Sequence, residues 1–308
     1  MKIAVMGTGG VGGYFGARLA DAGNEVSFIA RGAHLDAIRS GGLHVASPLG
    51  DVHLPSPTAT ADPAEIGPVD VVMFATKLGD MEAAGESIRP LLDAGTAVIP
   101  FLNGVDAPEV LARVLGDGHA CGGVAYISAF IEAPGHIRHV GDFARLLFGE
   151  RAGGSSERLE AFRAAAADSG IDATLHTDIT KALWEKFTVL VAMSGTTAAS
   201  RTSLGPIREH PISRAVFEAA MQEVWTVGRA RGIPLSDDLV ARQMKFLNGL
   251  PAEMKASMLV DLEAGKPLEA PWLSGAVARM GREEGIPTPV NDALFTAVLP
   301  FVDGAPHT

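Results

Sequence analysis

The sequence predicts an α/β domain with a mostly parallel sheet, followed by an all-helical domain. Three observations predict it. Short apolar runs alternate with helical stretches through the first half, the pattern of strands buried on both faces. A glycine-rich turn, residues 7–13, stands between the first strand and the first helix. From about Asp178 onward, only long helical patterns follow one another.

Residues 2–6 read as a buried strand and 14–22 as a helix stopped at Gly23. Residues 25–30 form a second strand, and 34–40 a helix ended by Gly41-Gly42. The segments 69–75 and 96–102 are apolar strands, the second closed by Asn103-Gly104, with helices at 81–92 and 108–115. Residues 120–131 and 136–149 are rich in β-formers and are expected to be later strands of the same sheet, antiparallel about Pro134-Gly135. Helices are expected at 179–197, 211–231, 236–247, 252–263, 267–284 and 290–301, each bounded by Gly, Pro, Ser or Asp. The domain boundary is placed near 177, giving domains 1–177 and 178–308, with ligand expected in the cleft between them at the carboxyl ends of the strands.

Composition narrows the function. With 47% hydrophobic and 20% charged residues over 308 positions, the chain is long and apolar enough for two ordered cores. A formal net charge of -11 argues against a nucleic-acid partner. The single cysteine, Cys121, cannot form an internal disulfide, which suits a reducing cytoplasm, and reads as a buried structural residue. The longest charge-free apolar stretch, residues 187–200, is shorter than the roughly 20 residues a membrane span needs. The histidines show no ligand spacing; His136 and His139 should point to opposite faces of a strand, so no metal is expected. A homodimer is compatible with the sequence but not implied by it.

Gly7, Gly9 and Gly12 form G-x-G-x-x-G directly after a strand and at the start of a helix. The first glycine makes the turn, the second admits a pyrophosphate close to the backbone, and the third lets helix and strand pack. The helix amino end adds unpaired N–H groups and partial positive charge. This context makes the domain Rossmann-type and the segment Gly7, Thr8, Gly9, Gly10, Val11, Gly12 a dinucleotide loop; the bland alternative is a glycine-rich turn without a ligand. Arg31 stands at the end of the second strand, where an NAD-binding protein would carry a carboxylate. A guanidinium there would pair with a 2′-phosphate, which points to NADPH rather than NADH; otherwise it is a solvated arginine.

Helical spacing places Ile179, Leu183, Lys186, Leu190 and Met193 on one stripe, so a lysine interrupts an apolar face. Burying an ammonium is costly unless it is paired or functional, although a lysine at the stripe's edge could extend to solvent. Lys77 and Asn103 follow the third and fourth strands, where such sheets place ligand contacts. Glu269 opens a helix, where a carboxylate is also favoured by the dipole alone.

Taken together, these residues resemble the ketopantoate reductase (2-dehydropantoate 2-reductase) family over nearly the whole chain. The resemblance rests on the glycine loop, Arg31, Lys77, Asn103-Gly104, Trp184-Glu185-Lys186, the segment Ser257-Met258-Leu259-Val260-Asp261, and Glu269. It implies hydride transfer from NADPH to the C2 ketone of a 2-oxo acid, with Lys186 as proton donor to the forming alkoxide. It further implies that Asn103 contacts nicotinamide and substrate, that Ser257 and Ser194 bind substrate, and that Glu269 holds the nicotinamide end and orients Lys186. Ala129 would form backbone wall near the nicotinamide. The implied context is cytoplasmic pantothenate and coenzyme A biosynthesis. Where the family often carries asparagines four and eight residues after the lysine, this chain has Leu190 and Ser194, and Ser274 stands where an asparagine usually precedes the glycine. A same-fold NADPH-dependent reductase of another 2-oxo acid or ketone is therefore the alternative, and a non-catalytic NADP-sensing protein the reading from a different class.

Overall fold

The computed structural model describes residues 1–305. Five parallel strands form the first sheet: β1 (Lys2–Met6), β2 (Glu25–Ile29), β5 (Thr58–Thr60), β6 (Val71–Phe74) and β7 (Ala97–Pro100), in the order β5-β2-β1-β6-β7. The order runs outward from β1 in both directions, so the chain reverses between β1 and β6, as in Rossmann sheets. β6 and β7 are buried at every residue, which explains their unbroken apolar runs.

A second sheet takes the remaining strands: β3 (Leu43–Ala46), β4 (Val52–Leu54), β8 (Cys121–Ala133), β9 (His136–Glu150) and β10 (Asp172–Leu175). Its order is β10-β9-β3-β4, with β8 paired antiparallel to β9. The expected hairpin is present, but it does not continue the parallel sheet. Its only pairing with the parallel sheet among the described residues is the single bridge from Val98 of β7 to Ala120, just ahead of β8; β9 finds its other neighbours in β3 and β10. Alternation in a sequence marks a strand but does not name its partner.

Helix α1 (Gly10–Asp21) lies against both sheets and depends on glycine to do so. A Cβ on Gly16 would come 2.8 Å from both Val5 and Phe28 in the parallel sheet, and one on Gly13 would come 2.9 Å from Ile137 in β9. The other helices before the middle of the chain are α2 (Gly32–Gly41), α3 (Met81–Ser87), α4 (Ala107–Leu115) and α5 (Glu157–Asp168). α3 is shorter than expected because Pro90 lacks the N–H that would continue it; residues Arg89–Leu91 form a 3-10 turn instead. Two phenylalanines, Phe148 on β9 and Phe162 on α5, join the core formed by Ile3, Val5, Phe15 and Phe28.

The chain divides into two compact units, Met1–Ala182 and the residues from Leu183 onward, the division falling inside α6 (Ile179–Ser200). The second unit continues with α7 (Leu204–Glu209), α8 (Pro211–Ala230), α9 (Leu239–Asn248), α10 (Ser257–Glu263), α11 (Ser274–Glu284) and α12 (Pro289–Val298). Its core gathers Phe217, Met221, Leu247 and Leu294. The expected helix 267–284 is broken: Ala270–Trp272 is a 3-10 turn around Pro271, and α11 starts only at Ser274. Likewise only Ser257–Glu263 of the expected 252–263 is helical.

Candidate active site

The residues singled out in the first unit gather at the carboxyl ends of the parallel strands. Gly7 has φ +95°, a conformation that side-chain-bearing residues rarely adopt, and a Cβ there would come 2.6 Å from the carbonyl of Ala75. At Gly9 a Cβ would meet nothing within 4 Å, so the backbone faces open space there. At Gly12 it would overlap the Gly7 carbonyl and come 2.8 Å from Val5. The three glycines thus fill three different needs: turn, approach and packing. Gly9 is the N-cap of α1 and no side chain caps it, so the first-turn amides, those of Gly10, Val11 and Gly12, have no partner within the helix.

Thr8 is a clamp. Its N–H donates to the Ile29 carbonyl at 3.1 Å and its hydroxyl to the same oxygen at 3.0 Å. Gly10 is set by packing rather than by openness: a Cβ there would overlap the carbonyl of Ala129 on β8. Ala129 backbone therefore borders the loop. Arg31 is exposed at the N-cap of α2, just past β2. Lys77 is exposed two residues beyond Ala75, and Asn103 is half-buried beside Gly104, whose φ is +78°.

The second unit carries Lys186, Glu269, Ser257 and Ser194. α6 is buried on almost every side, and the stripe expected to face inward does so only at its start: Ile179 and Leu183 are buried, but Lys186, Leu190 and Met193 are half-buried, while Phe187, Thr188, Val191 and Ala192 off the stripe are fully enclosed. A helix packed all round has no single inward stripe for the spacing to reveal. Burial pulls the Lys186 ammonium down to about 8 from its usual value, and the nearby Glu269 carboxylate works against that shift. Glu269 is half-buried at the N-cap of the 3-10 turn. Ser257 is exposed at the first residue of α10. Ser194 is fully buried, and its hydroxyl has no hydrogen-bond partner.

Other candidates are accounted for. Cys121 is buried, and burial, with the Glu150 carboxylate adding to it, pushes its thiol up to about 12, far from a reactive thiolate. His136 stacks on His44, which stacks on His53, while His139 is buried and packs against Tyr14. Among the described residues, no group of three or more His, Cys, Asp or Glu is placed to hold a metal ion. Sequence reasoning did not single out His34, which bonds the glycine loop from α2; its signal is only tertiary.

A Rossmann unit with an intact glycine loop, joined to a helical unit carrying a lysine of lowered pKa beside a carboxylate, defines a two-domain oxidoreductase. Comparison with known proteins agrees. The family described as ketopantoate reductase PanE/ApbA matches residues 3–153, and its C-terminal counterpart matches residues 178–300. The chain is 32% identical to the 2-dehydropantoate 2-reductase of Mesorhizobium japonicum, over 97% of each chain. It is 30% identical to the uncharacterized oxidoreductase YkpB of Bacillus subtilis, over 96% of this chain and 97% of that one. The crystal structure of 2-dehydropantoate 2-reductase from Geobacter metallireducens superposes with a TM-score of 0.91 at 32% identity, covering 97% of this chain and 99% of its own. The chain belongs to the ketopantoate reductase family and is an oxidoreductase acting on the C=O/CH–OH pair.

Proposed function

We propose that this protein reduces 2-dehydropantoate to pantoate with NADPH, Lys186 supplying the proton. The observation that carries the reading is the half-buried ammonium of Lys186, drawn to about 8 beside Glu269. A group titrating near working pH suits general-acid catalysis, and its positive charge also stabilises a developing alkoxide.

The first unit's residues fit a nicotinamide dinucleotide. Open space at Gly9 and the uncapped amino end of α1 suit a pyrophosphate, and the exposed Arg31 guanidinium suits a 2′-phosphate. Lys77, Asn103 and the Ala129 backbone would border the rest. NADPH, when bound, supplies the hydride. Lys186 donates a proton to the carbonyl oxygen as it gains charge, and Glu269 keeps the ammonium oriented. Ser257 and Asn103 bind the acid. Ser194, enclosed as it stands, reaches substrate only if α6 or its neighbours shift. On this reading, residues 1–177 hold the nucleotide and 178–308 the substrate and proton donor.

A second reading has its own observation. Leu190 is half-buried one turn from Lys186 and cannot hydrogen-bond a substrate hydroxyl. An unpaired substrate polar group costs about 1–3 kcal/mol, which would favour a 2-oxo acid or ketone lacking that group. NADPH oxidation measured with 2-dehydropantoate, pyruvate and 2-oxoisovalerate, beside Lys186→Ala, tests both. Highest kcat/KM on 2-dehydropantoate supports the first reading. Equal or better turnover of the simpler acids supports the second. No turnover with any carbonyl, or turnover untouched in Lys186→Ala, leaves a nucleotide sensor.

A further inference from the structure

We infer that His34 is a positioning residue for the nucleotide, fixing the glycine loop against α2 and against the β8–β9 turn; the inference rests on the nucleotide-binding reading above. Its Nε2 lies 2.8 Å from the carbonyl oxygen of Thr8, inside the loop. Its Nδ1 lies 3.0 Å from the backbone nitrogen of Gly135, in the turn between β8 and β9.

The two partners dictate the chemistry of the ring. A backbone N–H can only donate, so Nδ1 must accept from Gly135. A carbonyl can only accept, so Nε2 must carry the hydrogen and donate to Thr8. Only the neutral Nε2–H tautomer satisfies both. Protonation would set an Nδ1–H against the Gly135 N–H. Burial pushes the His34 pKa down, which keeps the ring neutral; the Thr8 contact works the other way but is the smaller influence.

The connection matters because of what it joins. Thr8 already bonds Ile29 through its N–H and its hydroxyl, so the His34 bond to its carbonyl fixes the peptide on its other side. The next residues, Gly9, Gly10 and Val11, carry amides expected to face phosphate. Gly10 rests on Ala129 of β8, and β8 and β9 meet again at the Gly135 turn. His34 closes that circuit, and it does so from the helix whose N-cap is Arg31, three residues earlier. Losing the imidazole would free the loop from the helix that carries the 2′-phosphate contact. Nucleotide affinity and the preference for NADPH over NADH should fall together.

The test measures Kd for NADPH and NADH, kcat at saturating NADPH, and Tm for wild type, His34→Ala and His34→Gln. His34→Ala should weaken NADPH binding about tenfold or more, as expected for two lost hydrogen bonds. It should also narrow the NADPH/NADH ratio, while kcat at saturation stays within about twofold. His34→Gln, which can still donate toward Thr8, should fall between. Unchanged Kd with a lower Tm would make His34 merely structural and overturn the inference. If the alanine variant does not fold, long-range 15N–1H spectra of the wild type decide. A pyridine-type Nδ1 and a protonated Nε2 are expected; the opposite tautomer or a doubly protonated ring overturns it. Failure of wild type to bind any nicotinamide dinucleotide would instead sink the function proposed above.

Discussion

Lys186 carries a charge where the surrounding protein disfavours one. Burial lowers its pKa to about 8, and Glu269 opposes that shift without cancelling it. In the proposed role of proton donor it must be protonated, so kcat for reduction should be level below about pH 8 and fall roughly tenfold per unit above it. A kcat profile flat through pH 9.5 would remove Lys186 from the acid role. Lys186→Ala should lower kcat by about 10²–10⁴, the usual worth of a positioned acid. Lys186→Arg keeps a charge that does not come off near neutral pH, and should rescue substrate KM more than kcat. Arg31 offers a separate residue-scale test. Arg31→Ala should reduce kcat/KM with NADPH by about ten- to a hundredfold, the loss of one or two charge-assisted bonds, and barely alter it with NADH. Equal preference for the two cofactors in wild type and variant would contradict it.

At the scale of the element, α1 is governed by its glycines. Gly9 and Gly10 are neighbours with opposite tasks. Gly9 faces open space, and Gly10 rests on the Ala129 carbonyl. Gly9→Ala should therefore leave the stability of the nucleotide-free protein within about 0.5 kcal/mol while weakening NADPH binding. Gly10→Ala should destabilise the protein itself by about 1–3 kcal/mol, because backbone must move to admit the methyl group. Chemical denaturation of both variants, with NADPH Kd measured alongside, separates the two; equal stability losses would mean the loop is shaped by packing alone. The motif G-x-G-x-x-G shows Gly7, Gly9 and Gly12 in the sequence, but the reason for Gly10 and Gly13 lies in β8 and β9, far along the chain.

At the scale of the whole molecule, each unit has its own core, and the proposed tasks are divided between them. NADPH at about 100 times its Kd should stabilise the protein by about 2.7 kcal/mol, read as a rise in Tm. Lys186→Ala should retain that rise while losing turnover, since the nucleotide loop and the lysine belong to different units. Loss of both in that variant would show that the division of labour is wrong. Among the described residues, no helix is long and apolar enough to cross a membrane.

The parallel sheet was legible in the sequence because strands buried on both faces must be apolar throughout, as Val71–Phe74 and Ala97–Pro100 are. The glycine turn after β1 was legible because the positive φ of Gly7 and the close packing at Gly12 exclude a side chain at both positions. Lys186 and Glu269 stood out as charges in apolar or helix-start positions, and the family resemblance gave them roles that their spacing alone did not. Strand partners, by contrast, were decided in three dimensions. β8 and β9 join β3 and β10, and alternation along one strand carries no record of which other strand it meets. The two bonds of His34 join Thr8 and Gly135, residues 26 and 101 positions away, and only the packed structure brings them to one ring.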